Sequence, residues 1–243
     1  PPYCQPPAMN AYQTDQALAL IPRLASPETG EFDFSLIRLD PSIPSANLAV
    51  GGSRIAEAID GPGDDVALLF LSHMAYEPSG TIGDPVSHSQ FELMGERAPD
   101  LIVSFDLLGN DLIDGMIDNE DFSATHMTPL DDYLADIDRA VGLLAATEAE
   151  VFLANLPNPT RLPFFLAKRA RLASEGLTEN AAIAFEAIDT SVEAANARLA
   201  ERIEDHDNVH LVDIAAMVEG WVESGPTRGI DEDGVVEDWS GIG

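Results

Sequence analysis

Lysine is almost absent from this chain: Lys168 stands alone, and Lys and Arg together number 12 against 43 Asp and Glu, for a formal net charge of −31. That scarcity excludes nucleic acid and anionic membrane surfaces as partners, because phosphate recognition needs clustered Lys and Arg. Cysteine is nearly missing too. Cys4 cannot form an internal disulfide, and its Pro-rich flanks supply none of the settings that lower a thiol pKa. No stretch approaches the ~20 consecutive apolar residues of a membrane span. The longest runs, such as residues 66–71, have the length of one buried element, and periodicity does not decide between strand and helix. The five histidines, His73, His88, His126, His206 and His210, lack zinc-like spacing beyond the i, i+4 pair His206 and His210, which falls past a helix end. A metal site is not expected.

The acid excess has a plain physical reading. Self-repulsion at this level opposes a compact chain in dilute buffer, whereas concentrated salt screens it, the Debye length being ~3 Å at 1 M. A halophilic protein with a solvated acidic surface is expected. The acidic clusters at residues 118–121 and 231–234 do not complete a calcium-binding loop.

With 243 residues, 45% of them hydrophobic, the chain can build one sizeable core. Residues 1–46 are rich in Pro and Ser and read as an irregular segment, with a short strand possible at residues 34–38. The chain opens on Pro1-Pro-Tyr-Cys-Gln-Pro-Pro7, without an initiator Met or a signal-peptide pattern, and a processed, truncated or incompletely recorded sequence is expected. An apolar strand at 47–50 precedes a helix at 53–60 and a Gly-Pro-Gly-Asp turn at 61–64. A helix at 89–97 leads into a buried strand that starts at Asp100. Thr128 is the expected N-cap of the next helix, whose apolar stripe is Tyr133, Ile137, Val141 and Leu144. A strand at 150–156, a long helix at 178–204 and a last strand at 208–214 follow. Strands separated by helices imply parallel crossovers. The expected fold is α/β: a three-layer α/β/α sandwich, flavodoxin-like, with a mainly parallel, doubly wound sheet, forming a single domain over residues 1–243.

Two strand-to-helix corners carry the chemistry. The segment from Asp100 to Asp111 runs Leu-Ile-Val-Ser-Phe-Asp-Leu-Leu before it breaks at Gly109-Asn-Asp111, placing the Asn110 carboxamide at the carboxyl edge of a sheet, where open α/β folds collect ligands. The other corner is Asn47-Leu-Ala-Val-Gly-Gly-Ser53, whose glycines let a ligand approach backbone amides at a helix start. Donors of those two kinds, converging on one point, suit the negative oxygen of a tetrahedral intermediate in ester hydrolysis. Asp111 reads as a helix N-terminal charge.

These two blocks, together with Val151-Phe-Leu-Ala-Asn-Leu-Pro-Asn-Pro159, resemble in order and spacing the conserved blocks of the SGNH/GDSL hydrolases, a family of esterases and lipases; the likeness spans roughly residues 45–215. The resemblance implies an oxyanion hole made by the Gly52 amide and the Asn110 side chain, a serine nucleophile with a His base and an orienting acid, a small-molecule ester as substrate, and a secreted or cell-envelope setting. The family's Gly-Asp-Ser nucleophile block has no counterpart in residues 1–46, and its Asp-x-x-His block has none near the C-terminus, so the domain is expected to be incomplete at both ends. Asp207-Asn-Val-His210 has the second spelling but runs straight into the last strand, which makes His210 a structural residue at a strand start. Between Asn155 and Phe165, prolines and the aromatics Phe164 and Phe165 suggest a substrate-binding loop, or else an anchor to the core.

The leading expectation is therefore a serine ester hydrolase with Gly52 and Asn110 as oxyanion donors. The alternative is a catalytically inactive binding or structural module, or a fragment, of the same fold. A nucleotide-binding domain cradling phosphate on Gly51-Gly-Ser-Arg54 fits less well, lacking the third glycine and the acidic residue of the dinucleotide fingerprint.

Overall fold

The structure, a computed structural model, describes residues 32–33, 48–50, 53–65, 68–69, 72, 79–80, 86–112, 127–176, 178–224, 229–230 and 236–237. It divides into two compact units, residues 1–99 and 100–243.

In the first unit a short strand β1 (Phe32–Asp33) pairs antiparallel with β2 (Ser79–Gly80). Helix α1 (Ile55–Asp60) buries Ile55, Ala58 and Ile59 and stops at Gly61, whose φ of 92° is open to glycine and costly for other residues. Residues 68, 69 and 72 are helical. Asp65 starts that turn by accepting the Leu68 amide on its side chain at 2.9 Å and the Leu69 amide on its carbonyl at 2.8 Å. The apolar run at 66–71 thus takes the helical option at its described positions. Helix α2 (Gln90–Arg97) has a reciprocal cap: Ser89 Oγ accepts from the Glu92 amide at 3.1 Å, and the Ser89 amide donates to the Glu92 carboxylate at 2.8 Å. Leu48, Ala49 and Val50 lie outside the strands, contrary to expectation. Val50 is buried nonetheless. An apolar run reports burial, and pairing into a ladder is a separate requirement that the pattern does not encode.

The second unit is built on three parallel strands in the order β3-β4-β5: β3 (Leu101–Ser104), β4 (Glu150–Ala154) and β5 (Val209–Val212). Helix α3 (Leu130–Ala145) connects β3 to β4; a 3-10 turn (Pro159–Arg161), α4 (Pro163–Ser174) and α5 (Thr178–Ile203) connect β4 to β5; α6 (Ile214–Ser224) follows. A two-residue pair, β6 (Gly229–Ile230) with β7 (Val236–Glu237), is antiparallel. The mixed α/β class stands, with a small parallel sheet at its centre.

The expected stripe of α3, Tyr133, Ile137, Val141 and Leu144, is wholly buried; α3 packs against α5, in which Ile188, Val192, Ala195 and Leu199 are buried as well. Arg198 of α5 grips Asp138 of α3 in a two-point ion pair at 2.7 and 2.6 Å. Both helices contact β5, and on the sheet Val151, Leu153 and Val209 are buried. The other face is more open: Val103, Phe152 and His210 share one register row, and Val103 keeps 50% of its surface exposed.

Three expectations need correction here. Strand β3 is an edge strand of the described sheet and ends at Ser104, with Leu101 56% exposed, so it is neither buried nor continuous to Leu108. Thr128 is not the N-cap of α3; Pro129 holds that position, and the Thr128 hydroxyl is drawn to Asp111 instead. The end of the expected loop, residues 163–165, is already helical: α4 starts on Pro163 because the first helical position needs no amide donor.

Candidate functional site at the carboxyl edge of the sheet

Because β3, β4 and β5 are parallel, their carboxyl ends share one edge, and β4 and β5 are each followed directly by a polar side chain, Asn155 and Asp213, that accepts a backbone amide there.

After β3 the chain bends at 105–106, turns at 107–109 and enters a helical turn at 110–112. Leu108 and Leu112 flank the turn and are buried, while Asn110 between them stays partly accessible. The Leu112 amide closes the turn onto the Gly109 carbonyl at 3.2 Å. Two side chains from the start of the next element hold it. The Tyr133 hydroxyl donates to the Leu108 carbonyl at 2.9 Å, and Thr128 donates twice to Asp111, through its hydroxyl to the carboxylate at 2.7 Å and through its amide to the carbonyl at 2.9 Å. Asp111 is 0% exposed, so it is a buried, hydrogen-bonded carboxylate where the sequence suggested a charge at a helix end. Burial, with the negative charge of Asp111 beside it, pushes the Tyr133 phenol far above its ordinary range, which favours its donating form.

After β4, Asn155 donates through Nδ2 to Asp213 at 2.7 Å and accepts the Ala215 amide on Oδ1 at 2.8 Å. Asp213, which directly follows β5, accepts the Ala216 amide at 3.0 Å. Together the two side chains satisfy the first amides of α6. Those bonds, the Ala216 amide foremost and the Asn155 carboxamide next, hold the Asp213 carboxyl below the ordinary carboxylate range. Further along the same loop, Asn196 of α5 pairs with both backbone groups of Leu156 at 2.9 Å each. Asn158 donates to Asp189 at 2.7 Å, and the Thr160 hydroxyl reaches the same carboxylate at 2.6 Å. The loop after β4 is therefore held at several points along its length.

The remaining candidates fall as follows. Gly52 belongs to the first unit and lies outside the described residues. Beside it the Ser53 amide donates to the Val50 carbonyl at 3.2 Å, and the Arg54 amide is taken by the Glu57 carboxylate at 2.7 Å. That last bond withdraws one amide that the sequence offered to a ligand at the start of α1. Phe165 is 6% exposed in the first turn of α4; the Phe164 side chain lies outside the described residues. His210 sits on β5 itself, its Nε2 at 2.7 Å from Glu150 Oε2 and its ring centroid 5.1 Å from that of Phe152. The Asp207-to-His210 spelling is thus a turn entering a strand, at the amino end and away from the edge that carries Asn155 and Asp213.

Sequence reasoning missed the roles of Asn155, Asp213 and Thr128. Asp213 carried a usable signal, an N-cap residue just before the apolar Ile214-Ala-Ala-Met217. Among the described residues no group of three or more His, Cys, Asp or Glu could hold a metal ion, and no helix is long and apolar enough to cross a membrane. Compared with models of known protein families, with curated proteins and with solved structures, the chain gives no match.

Proposed function

We propose that this protein is a serine ester hydrolase of the SGNH/GDSL type, acting on acyl or acetyl esters with Gly52 and Asn110 as oxyanion donors. The observation that carries the reading is the Leu108-to-Asp111 turn. It follows a parallel strand at the sheet's carboxyl edge, and its flanks are bonded to Tyr133 and Thr128, while Asn110 between them keeps accessible surface. A donor fixed before the reaction begins is what makes such stabilisation effective, since no reorganisation is needed as charge develops. No cofactor is required for this chemistry.

The same proposal takes the fold to be the three-layer sandwich, with a second helical layer over the face that carries Val103 and Phe152. Parallel sheets are covered on both sides, and half-exposed apolar residues on that face fit such a layer. The functional test is hydrolysis of short p-nitrophenyl esters by the full-length protein in concentrated KCl. Asn110→Ala is expected to lower kcat by roughly 100-fold with the melting temperature unchanged. Equal turnover in the two proteins overturns the role of Asn110. A wild type that hydrolyses none of the esters supports a catalytically silent module.

A further inference from the structure

We infer that Thr128 and Tyr133 are positioning residues for Asn110, acting through the turn from Leu108 to Asp111. This deepens the ester-hydrolase reading and rests on it for its catalytic consequence, though not for its geometry.

Asn110 is set between two residues that are each tied to the start of α3. On one side the buried Tyr133 hydroxyl holds the Leu108 carbonyl at 2.9 Å; on the other Thr128 holds Asp111 at both its carboxylate and its carbonyl, at 2.7 and 2.9 Å. Residues 108 to 111 can then neither rotate nor slide along the strand axis without breaking a bond in a water-poor setting, where an unpaired polar group is expensive. A plain turn does not need this. A fully buried carboxylate is a costly way to fix a loop, and here it sits next to the one residue of the turn that the proposed chemistry uses. Burial raises the phenol's pKa above its ordinary value, which favours the protonated form that donates to Leu108.

In an oxyanion site, a small displacement of the donor lowers the rate of the chemical step while leaving ground-state substrate binding largely intact. Thr128→Val removes the hydroxyl and keeps the shape. Thr128→Ser restores the hydroxyl. Tyr133→Phe removes only the phenolic oxygen.

The experiment follows the side-chain amide resonances of Asn110 by NMR, assigned by their loss in Asn110→Asp, beside kcat and KM for a p-nitrophenyl ester. Expected are shifted or broadened Asn110 amide signals in Thr128→Val and Tyr133→Phe, recovery in Thr128→Ser, and a kcat about 10-fold lower in the first two variants at unchanged KM. Asn110 signals identical to wild type in both Thr128→Val and Tyr133→Phe overturn the inference, whatever the rates. Should Thr128→Val fail to fold, Tyr133→Phe carries the same test. If the signals respond but the wild type hydrolyses no ester, the positioning stands and the hydrolase reading fails.

Discussion

The Asn155 carboxamide and the Asp213 carboxylate meet at 2.7 Å across the carboxyl ends of neighbouring strands, although 58 positions separate them in the chain. The pair closes the sheet edge. Asn155 takes one amide of α6 and Asp213 takes the next, so each side chain both caps the helix and fixes the other.

Asn155→Ala should therefore cost more than an ordinary surface substitution. It strips the Ala215 amide of its acceptor and Asp213 of a donor at a largely buried position, a loss of about 1–3 kcal/mol. Urea unfolding in concentrated salt measures it. A change within about 0.5 kcal/mol, the range of neutral surface substitutions, would contradict the capping role.

The Asp213 carboxyl adds a pH dependence of known sign. Its folded-state pKa is held below the ordinary value of 3.8 by the Ala216 amide and by Asn155. A depressed carboxylate contributes stability above its unfolded-state pKa, and that contribution disappears as pH falls through the folded-state value. The gap in melting temperature between wild type and Asp213→Asn is expected to be constant near neutrality, to shrink below about pH 4 and to close in stronger acid. A gap that widens in acid would reverse the assignment.

Much of this architecture was legible in the sequence, and the failures have specific causes. The stripe Tyr133, Ile137, Val141 and Leu144 declared its helix because a 3.6-residue period survives without knowledge of neighbours. The helix expected over 89–97 is α2, and the structure shows its start closed by the reciprocal cap of Ser89 and Glu92. Strand β3 was drawn too long because Phe105 and Leu108 are apolar for different reasons, one exposed and one closing a turn. Thr128 sits beside Pro129 and reads as a local cap, yet its partner is Asp111, 17 positions earlier. The same holds for Asn155 and Asp213. Contacts that close over such distances leave no periodic trace, and they are the ones that shape the candidate site.

The charge predicts a steep response to salt. With a formal net charge of −31, the melting temperature should rise as KCl increases from millimolar to molar concentrations, mostly over the range where the Debye length falls from ~30 Å to ~3 Å. Thermal melts followed by circular dichroism across that series check this. A flat or falling trend would show that the acidic surface carries no salt requirement.

The central claim, an ester hydrolase that uses Asn110 to stabilise an oxyanion, is tested most directly by intact mass spectrometry of the full-length protein during reaction with a fluorophosphonate probe in concentrated KCl, comparing wild type with Asn110→Ala. The account predicts a single adduct on one serine of the wild type and labelling slowed by roughly 100-fold in the variant, because the phosphonyl oxygen uses the same donors as the tetrahedral intermediate. No adduct on the wild type, or equal labelling of both proteins, would contradict it.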